Sequence, residues 1–87
     1  MWSYNEVKNY YYCFLGKHEL IVQHFQDSYK VRFCLSRINS AYIQTFINAD
    51  NIEDAQHMAL KIVRNHAIEN SCLWNNILEA VENSLGN

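Results

Sequence analysis

The chain has 87 residues, of which 49% are hydrophobic and 18% charged, and its net charge is −2. This length accommodates one domain without a second functional module, and the composition is too apolar for a disordered chain. We therefore predict a single domain over residues 1–87. Because the sequence has no run near the roughly 18 apolar residues of a membrane span and no signal-peptide pattern, we expect a cytoplasmic protein without a membrane partner.

The first fifteen residues allow two interpretations. Residues 3–6 have the pattern of a capping box, and the apolar residues that follow have helical spacing, which would give an α-β-β-β-α order. Residues 10–15, however, are of types that favour strands, and Gly16 with Lys17 suits a two-residue hairpin turn. We favour the strand.

Apolar residues recur at every second position over residues 20–47, which is typical of strands with one buried face. The clearest strand covers residues 29–35, after a turn predicted at Asp27 and Ser28. Further strands are predicted over residues 20–25 and 41–47. The alternation in the clearest strand directs Lys30, Arg32 and Cys34 away from the core.

After residue 47 the apolar period changes to that of a helix. Asn51 is a suitable N-cap, and Glu53 and Asp54 lie in the first turn, where the helix dipole favours negative charge. A second helix is predicted from about Asn70, with Gly86 at its C-terminal cap.

The sequence thus predicts an α+β fold, in which a three- to four-stranded antiparallel β-meander is packed on one face by two C-terminal α-helices. Both helices are amphipathic, so each can cover the inner face of the sheet. The predicted core residues are Val22, Tyr29, Val31, Phe33, Leu35, Ile43, Ala55, Met58, Ala59, Ile62, Val63, Ile77 and Val81.

No motif in the sequence indicates catalysis. The three cysteines, Cys13, Cys34 and Cys72, are too few and too far apart for a disulfide scaffold, and no CxxC or HxxxH spacing provides paired zinc ligands. With glycine at residues 16 and 86 alone, the chain has no phosphate-binding loop. We predict no enzyme activity, no metal and no cofactor.

Nucleic-acid binding is the weaker of two binding hypotheses. An open sheet face would combine cations with stacking side chains, drawn from Lys30, Arg32, Gln44, Tyr42 and Tyr11. Two or three cations give only weak, salt-sensitive binding to phosphates. With a helix over residues 3–15 the layout would resemble a double-stranded-RNA-binding domain, but residues 53–56 are Glu-Asp-Ala-Gln where the last helix of that family has a basic start.

Protein binding is the stronger hypothesis, because twelve aromatic residues exceed what so small a core requires. The same rings could instead form the seam of a homodimer, so a homo-oligomeric structural protein is an alternative. The predicted contact residues are Trp2, Tyr4, Tyr10, Tyr11, Tyr12, Lys30, Arg32, Tyr42 and Gln44.

The chain also resembles a group of small phage and mobile-element proteins built from a strand meander followed by a helix. The resemblance covers about residues 2–60 and rests on Trp2, Tyr12, Gly16, Leu20-Ile21-Val22, Tyr29-Lys30-Val31 and Asn51-Ile52-Glu53-Asp54-Ala55. It implies a protein that acts by binding a host protein, for example as an inhibitor of CRISPR–Cas or another defence component. It assigns no role to any single residue.

Overall fold

The computed structural model describes residues 2–35, 43–69 and 79–85, and the chain is an α+β protein, as predicted. Five antiparallel strands form a meander in the order β1-β2-β3-β4-β5, so the predicted count of three to four strands is wrong. The elements are β1 (Ser3–Asn5), β2 (Tyr10–Leu15), β3 (His18–Phe25), β4 (Ser28–Cys34), β5 (Ile43–Ile47) and the helix α1 (Ile52–Glu69). A second helical segment, α2, covers residues 79–85.

The N-terminal segment forms a hairpin, which confirms the strand over residues 10–15 and shows the helical alternative to be wrong. β1 pairs with β2 and places Tyr4 opposite Tyr11. The Asn5 carbonyl oxygen accepts a hydrogen bond from Asn9 N at 2.7 Å, and Asn5 Oδ1 accepts one from Lys8 N at 3.0 Å. The polar residues that resemble a capping box therefore close a turn, which adds an edge strand to the predicted sheet.

Two-residue turns connect β2 to β3 and β3 to β4. The first is the predicted turn at Gly16 and Lys17, and Gly16 has a φ of +66°. The second lies one residue earlier than predicted, because Ser28 already pairs with Phe25 at the end of the ladder. Its first residue, Gln26, has a φ of 54°, in the left-handed region that costs free energy for residues with a Cβ.

The strand register divides the sheet into two faces. Cys13, Leu20 and Phe33 lie opposite one another across β2, β3 and β4, and Val22 lies opposite Val31 in a neighbouring row. All five side chains are at most 1% exposed and belong to one hydrophobic cluster. We call this side of the sheet the core face and the opposite side the open face.

Helix α1 begins with the predicted cap, since Asn51 Oδ1 accepts a hydrogen bond from Asp54 N at 2.8 Å. Met58, predicted in the core, is 37% exposed, and this prediction is wrong. Residues four apart on a helix point in directions that differ by about 40°. The buried stripe follows this spacing from Ala55 to Ala67, so it winds around α1 away from Met58. The buried residues of the helix are Ala55, Ala59, Leu60, Val63 and Ala67.

The second helix packs on the same side of the sheet. Val81 is fully buried in the cluster that contains Phe33 and Val63, and Leu85 packs against that cluster. Both helices therefore cover the core face, as predicted. The predicted start of α2 near Asn70, and residues 36–42 before β5, lie outside the described residues.

Phe33→Ala tests this arrangement of the core. Phe33 is fully buried, so we expect its truncation to lower the free energy of unfolding by about 3–5 kcal/mol. Phe46→Ala, on the open face at 52% exposure, is the matched control and should cost well under half as much. Urea denaturation followed by circular dichroism measures both, and equal losses would contradict the assignment of the two faces.

The turns provide a second test, in which two substitutions change the stability of the protein in opposite directions. Gly16→Ala should destabilise the protein by about 1 kcal/mol through its backbone conformation alone, because an added Cβ meets no atom within 4 Å. Gln26→Gly should stabilise it by up to about 1 kcal/mol, because glycine adopts positive φ without strain. Thermal unfolding measures both changes, and a loss of stability in Gln26→Gly would show that the turn is not strained.

Candidate binding surface on the open sheet face

The open face consists of the side chains that alternate with the core residues along β2 to β5. The buried residues in the described parts of α1 and α2 all belong to the cluster on the core face. These buried helix residues therefore do not cover the open face. By register, the open face contains Tyr10, Tyr12, Phe14, Glu19, Ile21, Gln23, Phe25, Ser28, Lys30, Arg32, Cys34, Gln44 and Phe46.

Aromatic rings form two groups on this face. Tyr12 makes T-shaped contacts with Tyr10 and with Phe14, at centroid distances of 6.1 Å and 5.9 Å. Phe25 and Phe46 form the second group, with centroids 5.3 Å apart. Phe14 and Phe46 are 58% and 52% exposed, which is unusual for phenylalanine in a small domain. The rings support one another and still present apolar area to the surroundings.

Two basic side chains lie on β4, between the rings of β2 and Phe46 of β5. Lys30 is opposite Phe46 in the register, and Arg32 is opposite Ile21. Ile21 is only 3% exposed although it lies outside the core cluster. Its neighbours on the adjacent strands are the longer side chains of Tyr12 and Arg32, which explains this burial. Glu19 is the single acidic side chain among the described residues of this face, so the surface combines apolar rings with a small excess of positive charge.

The predicted contact residues are divided between the two faces. Tyr10, Tyr12, Lys30, Arg32 and Gln44 lie on the open face. The other described ones lie toward the core face: Tyr4 is opposite Tyr11, whose partner on β3 is the buried Val22, and Trp2 packs against the core cluster. Tyr42 lies outside the described residues.

Sequence analysis missed the phenylalanines of the open face. Phe14, Phe25 and Phe46 were not among the predicted contact residues, although each alternates along its strand with residues of the core face. In β2, Phe14 lies between the buried residues Cys13 and Leu15. The alternation that directs Lys30 outward could have identified them, because the same rule applies to every strand of the sheet.

A shallow cavity of about 340 Å³ lies at the start of α1. Its lining includes Asp50, Asp54 and His57. In the part of the chain that the structure describes, no three histidine, cysteine or acidic side chains are close enough together to hold a metal ion. The cavity therefore provides no metal-binding geometry.

The two described cysteines have different surroundings. Cys13 is buried on the core face, and this burial raises the pKa of its thiol from 9.0 to about 12. Cys34 is half-buried on the open face. Since the thiolate is the reactive form, Cys13 is a packing residue at neutral pH.

Comparisons with protein-family models, with curated proteins and with solved structures gave no match. The resemblance to phage and mobile-element proteins therefore stays a prediction. None of the helices within residues 2–35, 43–69 and 79–85 is long and apolar enough to cross a membrane.

Thiol labelling tests the environments of the two cysteines. In a Cys72→Ser background at neutral pH, we expect Cys34 to react with a thiol reagent in the folded protein and Cys13 to react only after denaturation. The Cys34→Ser variant is the control that leaves Cys13 alone. Rapid labelling of Cys13 in that folded variant would contradict its burial on the core face.

Proposed function

We propose that this protein is a non-enzymatic protein-binding module that docks its open face on a host protein. The observation that supports this most directly is the exposure of Phe14 and Phe46 on either side of Lys30 and Arg32. Protein interfaces are enriched in aromatic residues and arginine at their centres, where burial of a ring gains much free energy at little entropic cost. The open face offers both residue types on a rigid sheet.

The composition of the open face also specifies the chemistry of the partner. The exposed rings require an apolar surface, and the two cations require acidic groups near its centre. Because the sheet fixes the backbone from which rings and cations project, little backbone freedom is lost on binding. A partner surface with an apolar patch beside carboxylates meets these requirements.

The biological role that we propose is inhibition of the bound host protein. The resemblance to small phage and mobile-element proteins implies this role, with a CRISPR–Cas or other defence component as the target. A module without catalytic groups inhibits by occupying a surface that the target needs, so its effect depends on affinity and stoichiometry. The host cytoplasm is the proposed place of action.

Single-stranded nucleic acid is a second candidate ligand, because the open face combines accessible rings with cations. The layout of a double-stranded-RNA-binding domain is no longer an option, since residues 3–5 and 10–15 are strands. Self-association through the open face, as a homodimer, is the third alternative. Each of these hypotheses predicts a different result in the experiment below.

Capture from host lysate tests the proposal. The tagged protein should recover one host protein in stoichiometric amount, with or without nuclease treatment. Two variants, Phe14→Ser/Phe46→Ser and Lys30→Glu/Arg32→Glu, should each weaken this capture at least about 30-fold, the effect of losing about 2 kcal/mol of contact free energy. Lys61→Glu, on the exposed side of α1, is a single charge-reversal control away from the open face and should bind normally.

The alternatives give distinct outcomes in the same experiment. Capture that nuclease abolishes would assign the open face to nucleic acid. A dimer in light scattering that both open-face variants dissociate would assign it to a second copy of the chain. Normal capture by both variants would show that the open face is not the contact.

A further inference from the structure

A second cavity, of about 280 Å³, lies on the core face beside the start of α1. It is separate from the open face, because Tyr11 and Tyr29 occupy the alternate positions of their strands. Its volume is at the lower limit for ligand pockets, which suits a single side chain or head group better than a whole cofactor. The cavity is lined by Tyr4, Asn9, Tyr11, His24, Tyr29 and Ile52.

The rings of this cavity are held in place by contacts with one another. The Tyr4 and Tyr11 centroids are 4.7 Å apart with the planes inclined by 53°, and His24 meets Tyr29 edge-on at 5.0 Å. The Tyr4 hydroxyl donates a hydrogen bond to Asn9 Oδ1. Tyr4 is thereby fixed at its ring and at its hydroxyl, so the aromatic lining needs little ordering before it binds a guest.

The loop that carries Asn9 is anchored as well. Gln23 Nε2 donates to the carbonyl oxygens of Lys8 and Asn9, at 3.2 Å and 3.4 Å. Asn9 N in turn donates to the Asn5 carbonyl oxygen at 2.7 Å. These hydrogen bonds connect the turn between β1 and β2 to β3, and they keep one wall of the cavity in position.

The chemistry of the lining favours a weakly hydrated cation. Among the described residues that line the cavity, three are tyrosines, whose ring faces are negative, and none is a lysine or arginine. Glu53 and Asp54 follow Ile52 in the first turn of α1, and Asn51 already caps a free amide there, so the helix start does not attract an anion. No carboxylate is among the described lining residues, so an ammonium with N–H donors would lose its water here without a charged acceptor in return.

We propose that this cavity binds a quaternary ammonium group through cation–π contacts with Tyr4, Tyr11 and Tyr29. Such a group has no N–H to satisfy and carries its charge on methyl surfaces, which the faces of tyrosine rings can accept. Two sources present this chemistry: a free choline-type molecule and the trimethylated lysine side chain of a protein.

Competition between two isosteric guests tests the charge requirement. Choline and its neutral carbon analogue 3,3-dimethylbutan-1-ol have the same shape, and NMR titration of the full chain measures both affinities. We expect choline to bind about 2- to 30-fold more tightly, the range that corresponds to a cation–π gain of about 0.5–2 kcal/mol. Equal affinities, tighter binding of the alcohol, or no binding of choline would each overturn the proposal.

Variants locate the guest in the cavity. Tyr11→Leu and Tyr29→Leu should each remove most of the preference for choline while retaining binding of the alcohol. Tyr12→Leu, on the open face, is the matched control and should keep the preference. Tyr4→Leu provides a substitution at a 44% exposed position if the other variants fail to fold. An unchanged preference in the folded variants of Tyr4, Tyr11 and Tyr29 would overturn the proposal.

A peptide with one trimethyllysine distinguishes the two sources. Tighter binding of this peptide than of choline, with loss of affinity for the unmethylated peptide, assigns the cavity to a modified side chain. Tighter binding of choline assigns it to a free molecule. Because Lys30→Glu/Arg32→Glu alters the opposite face, it should leave both guests unaffected, so failure of one proposal is distinguishable from failure of the other.

Discussion

The structure depends on the packing of one side of β3 and β4 against the small-residue stripe of α1. Leu20 and Phe33 contribute the large side chains, and Ala55, Ala59 and Val63 allow the helix backbone to approach them closely. Apolar area removed from water here supplies most of the favourable free energy available to a chain of this length. The outer strands β1, β2 and β5 extend a sheet whose position this contact fixes.

That contact also determines which surfaces remain for binding. A sheet has two faces, and two helices on the same face leave the other without a helical cover from the described residues. The exposed rings on the open face are therefore a consequence of the layer arrangement, with the cations of β4 among them. The cavity lined by tyrosines has a different origin, since it lies between strand residues of the core face and Ile52 at the start of α1.

The candidate site could be predicted from the sequence only in part. Alternation along β4 places Lys30 and Arg32 on one side without knowledge of any other strand. The side on which Tyr4 and Tyr11 lie depends on how β1 pairs with β2, and a shift of one residue would reverse it. Composition indicated an excess of aromatic residues, but it could not distribute them between two faces.

The sequence by itself determined the elements whose cause is local. The Asn51 cap, the turn at Gly16 and the alternation of β4 depend on neighbouring residues, so propensity and spacing predict them. The tertiary structure decided the fifth strand, the exposure of Met58 and the separation of the tyrosines into two groups. These depend on contacts between residues far apart in the chain, where strand pairing and helix packing outweigh local preference.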